Sequence, residues 1–230
     1  TPYSTTAMSA AEKFAAPSLQ HLFGTDNFGR DIFSRVMKGC STTLAISFLV
    51  VLFSGTMGIL LGAVTGYFGG LLDEIVMRIT DAVNGFPSIL LTLVIISLLG
   101  TGKQNVILAL GIVFIPSYVR IVRGEFMRLR DADYIRRARL MGVGRIRILF
   151  VHILPNIFSV FWASVMIGFN NAILAESSMS YLGIGVNPPD ASLGNMLSDA
   201  QGYLQSAPWC VLAPGLVIVW IVLGFSMLSE

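Results

Sequence analysis

Charge is scarce in this sequence: Asp, Glu, Lys and Arg make up 12% of 230 residues, hydrophobic residues 54%, and the mean hydropathy is +0.76. Soluble domains carry about a quarter charged residues, so water is excluded as the main solvent. Cysteine and histidine are scarcer still. Two cysteines, Cys40 and Cys210, are too few for a disulfide framework, and neither sits in a CxxC pair. Two histidines, His21 and His152, form no HExxH pattern, and no nucleophile stands beside an evident base. No catalytic residue and no metal site is therefore assigned. A phosphate-cradling GxxxxGK[ST] loop is missing, so any ATP and magnesium must bind elsewhere, and the chain is expected to hold no cofactor of its own. No cleavable signal segment is expected at the start, and no internal repeat or low-complexity tract is found. A net charge of +2 gives no basis for a nucleic-acid partner.

What the sequence has is long apolar blocks. Residues 1–40 are mixed and polar and read as an extramembrane lead-in, and residues 41–230 read as one membrane domain. From Thr42 to Phe68 no charge occurs, and at about 1.5 Å per residue that length exceeds the roughly 30 Å of a hydrocarbon core. Further spans are expected at 75–99, 106–122, 148–174 and 209–228, with Pro87, Pro116 and Pro155 inside or near them. Neighbouring helices can satisfy the backbone groups that such prolines free.

The basic residues set the orientation. Nine of the fifteen Lys and Arg side chains lie between Arg120 and Arg147, and such clusters mark cytoplasmic loops. Alternation then puts the lead-in outside, 67–73 inside, and 100–105 and 181–207 outside. Both cysteines fall near the outer ends of spans, where a bridge and two buried free thiols are alternatives. An odd number of spans remains, so a further helix is expected before Thr1.

Several features are candidates for function. Gly58, Gly62 and Gly66 recur every four residues on the first span, a spacing that lets another helix approach closely. Arg78 and Asp81 stand three apart on the second span, where they either line a path or form a structural pair. Asn170, Asn171 and Glu176 on the fourth span either line a conduit or bond to neighbouring helices. Pro188, Pro189 and Asp190 mark the outer loop as a surface for an extracytoplasmic partner or as a plain connection.

The segment DADYIRRARLMGVG (131–144) is the richest. Asp131 or Asp133 suits a helix cap and Gly142 and Gly144 suit its end, which predicts a short helix over 131–143. Tyr134, Ala138 and Met141 form a narrow apolar stripe beside Arg136, Arg137 and Arg139. Such a helix fits either a groove on a soluble partner or a layer of anionic lipid headgroups.

This segment resembles the cytoplasmic loop of ABC importer permeases, whose signature reads Glu-Ala-Ala, three residues, Gly, nine residues, Ile-x-Leu-Pro. Gly142, Ala138, Leu154 and Pro155 match it, whereas Arg136, Arg137 and His152 depart from it. GTDNFGRDIFSR (24–35), GYFGGLLDEIVMRITD (66–81), ILPN (153–156), AILAESSMSYLGIG (172–185) and NPPDASLGNMLSDA are similar to the second permease of dipeptide, oligopeptide and nickel importers. The resemblance implies an all-α polytopic bundle of the type I importer class, in a bacterial plasma membrane, with a short cytoplasmic coupling helix. It further implies a second homologous permease, two ATP-binding subunits that carry ATP and magnesium, an extracytoplasmic substrate-binding protein, and surrounding lipid. Tyr134, Ala138, Arg139, Met141 and Gly142 would then couple the chain to the ATPase. Peptide is the first expectation for cargo and nickel or a metal chelate the second; a channel or secondary transporter is the alternative from another class.

Overall fold

The computed structural model describes residues 1–228, so the last two residues of the expected membrane domain lie outside the described part. Its regular elements are helices, and the described residues form no strand beyond an isolated bridge between Thr25 and Asp31.

The first helix, α1 (Ile32–Phe68), begins ten residues before the expected span. Asp31 explains the early start: its carboxylate accepts the Ser34 amide at 2.7 Å and caps the helix. With 37 residues, α1 is about 55 Å long and rises past the bilayer into the outer lead-in. The lead-in is not a loose tail. It folds over this helix end, with the Tyr3 amide donating to Ser34 Oγ and the Trp209 indole donating to the Thr25 carbonyl. Arg30 donates to Asp26 at 2.6 Å, and both Arg30 and Arg35 lie within 4 Å of Asp199, at 3.8 and 3.9 Å.

The expected second span is two helices, α2 (Gly70–Asn84) and α3 (Ser88–Leu99), whose axes differ by 93°. Pro87 causes the break: it cannot donate to a helix and pushes the preceding residue out of helical conformation. In α4 (Lys103–Arg130) the helix persists eight residues beyond the expected end at 122, so Arg123, Arg128 and Arg130 join Arg120 in the helix and are not in a loop. Two of these arginines reach α2. Arg123 holds Asp73 through two nitrogens, one at 2.7 Å, and Arg120 binds Asp81 at 2.6 Å. The expected Arg78–Asp81 pair is therefore corrected: Asp81 turns to α4, and Arg78 is exposed without an ion pair among the described residues.

A short helix α5 (Asp133–Leu140) precedes α6 (Arg145–Tyr181). The latter opens with a π-helical turn at Ile148–Ile153. Pro155 has no N–H to return to the carbonyl four residues earlier, so a looser turn there is the physical expectation. The outer loop expected at 181–207 contains a helix, α7 (Leu193–Ala200), with reciprocal capping between Ser192 and Asn195. The last helix is α8 (Trp209–Met227). Cys210 and Cys40 both carry free thiols, which settles that alternative.

The core lies between α1, α4 and α6, built on Val50, Leu110, Tyr118, Ala172 and Ile173. Helix α4 fits the glycine seam of α1: a Cβ on Gly58 would lie 2.2 Å from Tyr118 Cβ, and one on Gly66 would lie 2.6 Å from the Arg123 carbonyl. Leu52 and Leu60 of α1 and Leu216 and Trp220 of α8 are exposed, as surfaces facing acyl chains or another apolar partner require. Among the described residues four helices are long and apolar enough to cross a membrane, and the α2–α3 pair, bent by 93°, passes the same test together, as a broken fifth span or a re-entrant loop.

Candidate functional site: coupling helix and membrane cavity

Helix α5 sits at the arginine-rich end of the bundle, between α4 and α6. Its N-terminal boundary differs from expectation, since neither Asp131 nor Asp133 caps it: Ala132 is the cap residue and makes no side-chain bond, while Asp133 is in the first turn. There the carboxylate still complements the helix dipole. The C-terminal end is built as the glycine implies. Val143 donates to the Ala138 carbonyl and Gly142 to the Arg139 carbonyl, both at 3.0 Å, and Gly142 holds φ at +80°. This is the Schellman arrangement, in which a left-handed residue closes the helix at little cost only when it is glycine.

The faces of α5 differ from the predicted stripe. Ile135 and Ala138 are buried, at 0% and 5% exposure, and Ile135 joins a cluster with Tyr67 of α1, Val122 and Phe126 of α4, and Ile148, Leu149, Ile153 and Ile157 of α6. Ala138 thus faces this chain's own bundle. Leu140 and Met141 project outward, at 88% and 78% exposure. Tyr134 lies between, half exposed, and Arg139 stacks over the Tyr67 ring at 5.3 Å. Sequence reasoning missed Ile135, the most buried residue of the helix; the alternation of Ile135 and Ala138 at three-residue spacing was a signal for it.

A cavity of about 530 Å³ opens in the membrane region between the α2–α3 bend, α4 and α6. Its polar lining comprises Asn84, Ser88, Thr92, Ser117, Ser164, Asn171 and Ser178, and no ionisable side chain except Tyr118 reaches it. Of the expected path residues the structure brings only Asn171 there. Arg78 and Asp81 lie on the exposed face of α2, Asn170 points a buried oxygen elsewhere, and Glu176 is fully buried near α1 and the outer loop. Glu176 accepts the Ser180 hydroxyl at 2.7 Å, and Ser180 in turn accepts the Val186 amide at 3.1 Å. The carboxyl therefore anchors the turn leaving α6 and not the cavity wall. Gly168, which no spacing singles out, matters more: a Cβ there would overlap the Tyr118 hydroxyl at 1.8 Å. Tyr118 is wedged between Gly58 on one side and Gly168 on the other.

Pro188, Pro189 and Asp190 are exposed at the outer end, the two prolines joined by a cis bond. Asp190 approaches Lys103 at 3.7 Å, and Asn187 donates to Thr101, so this loop is tied to the α3–α4 turn.

Residues 58–229 match the family described as binding-protein-dependent transport system inner membrane component. This chain belongs to that family. The permease is 41% identical over 210 residues to the dipeptide transport system permease protein DppC of Haemophilus influenzae, covering 91% of this chain and 71% of that protein. It is 40% identical over 220 residues to DppC of Alkalihalophilus pseudofirmus, covering 96% and 72%. The glutathione transport system permease protein GsiD of Pectobacterium atrosepticum is 40% identical over 216 residues, covering 93% and 71%. Among solved structures the permease resembles the inward-facing MetNI methionine ABC transporter, with TM-score 0.71 at 19% identity over 86% of this chain and 94% of that one. An amino acid ABC transporter gives 0.64 at 16% identity, over 86% and 92%. The fold is that of an ABC importer transmembrane domain, and the protein is a multi-pass component of the bacterial inner membrane, a transport subunit and not a catalytic one.

Proposed function

We propose that this permease imports short peptides by alternating access, driven by two ATP-binding subunits that hold ATP and magnesium and engage α5. A second homologous permease completes the pathway, and an extracytoplasmic binding protein delivers cargo at the outer face, where Pro188, Pro189 and Asp190 are accessible. The observation that carries the peptide reading is the cavity lining. At about 530 Å³ it falls in the range of ligand cavities, roughly 300–1,000 Å³. Amides and hydroxyls offer partners for a peptide backbone, while nothing there selects side-chain charge or would ligate a bare nickel ion. Relatives named for dipeptide and glutathione transport support the same cargo class.

Force enters through the two faces of α5. Leu140, Met141 and Arg136 are presented for a partner groove, while Ile135 presses on the cytoplasmic ends of α1, α4 and α6. A push on the outer face moves all three helix ends together. The π-helical turn at Ile148–Ile153 is the most deformable segment beside that contact.

The test is Gly142→Arg in the reconstituted assembly. A side chain at φ +80° is strained, so the Schellman stop fails and α5 loses its angle. Uptake of labelled dipeptide and transport-stimulated ATP hydrolysis are expected to fall to background while the binding protein still captures peptide. Unchanged uptake would remove the coupling role. In a crosslinking scan the Met141→Cys variant should join an ATP-binding subunit, and Ala138→Cys should not.

A further inference from the structure

The cytoplasmic end carries a second cavity beside the coupling helix. About 460 Å³ in volume, it lies between the ends of α1, α4 and α5 and is lined by Tyr67, Phe68, Arg130, Arg139, Gly142 and Arg145. Three guanidinium groups face it and no carboxylate belongs to its lining. Two of the three are pre-positioned. Arg130 donates to the Tyr67 carbonyl at 3.4 Å and lies 3.6 Å from Asp131 at the rim; Arg139 stacks on Tyr67 and donates to the Arg130 carbonyl at 3.3 Å. Arg145 is exposed and has no ion pair among the described residues. Guanidinium forks held in this way match the oxygens of a phosphodiester.

Next to this basic pocket runs an apolar groove that shares Phe68 and Arg145 with it and continues along Ile146, Phe150 and Val151. These side chains are exposed, Ile146 at 73% and Phe150 at 57%, on the first turns of a membrane-crossing helix. A site with cationic donors at one end and an exposed apolar channel at the other, at the inner interface of a bilayer, has the amphipathic form of a phospholipid. A soluble anion would need only the first half, and an acidic protein surface would leave the second half uncovered.

We propose that this composite pocket is a binding site for an anionic phospholipid of the cytoplasmic leaflet, its phosphodiester among Arg130, Arg139 and Arg145 and one acyl chain along Phe68, Ile146, Phe150 and Val151. Basic pockets between membrane helices on the cytoplasmic side bind such headgroups. The lipid would brace the junction between α5 and α6 from the bilayer side. The inference concerns what the permease retains and stands whether or not the cargo is a peptide.

The experiment uses the intact assembly of permeases and ATP-binding subunits, stripped of lipid in detergent and titrated with phosphatidylglycerol, phosphatidylcholine or inorganic phosphate, with retention read by native mass spectrometry. Phosphatidylglycerol should be retained by the wild type and phosphatidylcholine should not. The R130Q/R145Q double variant should weaken retention about 30-fold, on the scale of basic side chains near a membrane surface. The milder I146S variant, which leaves every charge in place, should also weaken retention. Equal retention of both lipids, undiminished retention by R130Q/R145Q, or inorganic phosphate displacing the lipid completely would overturn the proposal. So would loss of the ATP-binding subunits from R130Q/R145Q with lipid still held, which would assign the pocket to a protein contact.

Discussion

Replacing Gly58 by alanine adds one methyl group where α1 and α4 touch. The new carbon would sit 2.2 Å from Tyr118 Cβ and 3.2 Å from two backbone atoms of the same residue. Ordinary contact begins near 3.4 Å, so the helices must part by at least 1.2 Å, the difference of 3.4 and 2.2. Tyr118 cannot give way sideways, because Gly168 of α6 closes on its hydroxyl from the other side. A gap of 0.5–1 Å already forfeits a quarter to a half of each dispersion contact, and parting at Gly58 also loosens the contacts at Gly62 and Gly66. Overpacking of this kind costs about 1–3 kcal/mol. Gly124→Ala supplies the opposite sign: it lies in α4 with nothing within 4 Å of its Cβ position, so only helix propensity acts and about 1 kcal/mol of stabilisation is expected. Reversible unfolding in mixed micelles, followed by tryptophan fluorescence, measures both. If Gly58→Ala matches or exceeds the wild type, the seam is not a close-packed contact and the reasoning fails.

Asp73→Asn should destabilise the α2–α4 contact by about 1–2 kcal/mol, because a two-pronged charge-assisted bond in a partly buried setting is lost. A double-mutant cycle with Arg123→Gln should show coupling of similar size, and additive effects would refute the link. Glu176→Gln should be nearly neutral in the same unfolding assay, since an amide oxygen can still accept the Ser180 hydroxyl, whereas Glu176→Ala should cost about 2–4 kcal/mol by opening a void and leaving Ser180 without its acceptor; equal effects of the two would show that the bond is irrelevant.

Long-range apolar runs made the crossings legible, because a bilayer demands length and hydropathy in the same stretch. Helix ends were less so. Arg123 looked like the start of a loop, yet the helix continues through it because Asp73, 50 residues earlier, neutralises it across space, as Asp81 does Arg120. Local spacing cannot reveal such a partner, and for the same reason it paired Asp81 with Arg78. Likewise α1 was expected to begin where apolar residues begin, although its polar first turns are paired with the folded lead-in. The short helix before Gly142 was recognisable from cap and turn chemistry, which acts within a few residues. Which of its faces turns inward was not, since Ile135 is selected by α4 and α6. Apolar residues on both sides of a helix leave that choice to its neighbours. The cavity could not be read at all: its polar groups come from four helices and become a site only once the Pro87 bend brings Asn84 and Ser88 toward Ser117 and Asn171.

The folded lead-in has a mechanical consequence. Its residues are bolted to three places at once: to the head of α1 through Asp31 and Ser34, to α7 through Asp199, and to α8 through Trp209. Anything that leans on this lid from the periplasm loads three helices simultaneously, so a visitor's arrival is felt as a tilt of the whole outer rim and not as the bending of one strand of chain.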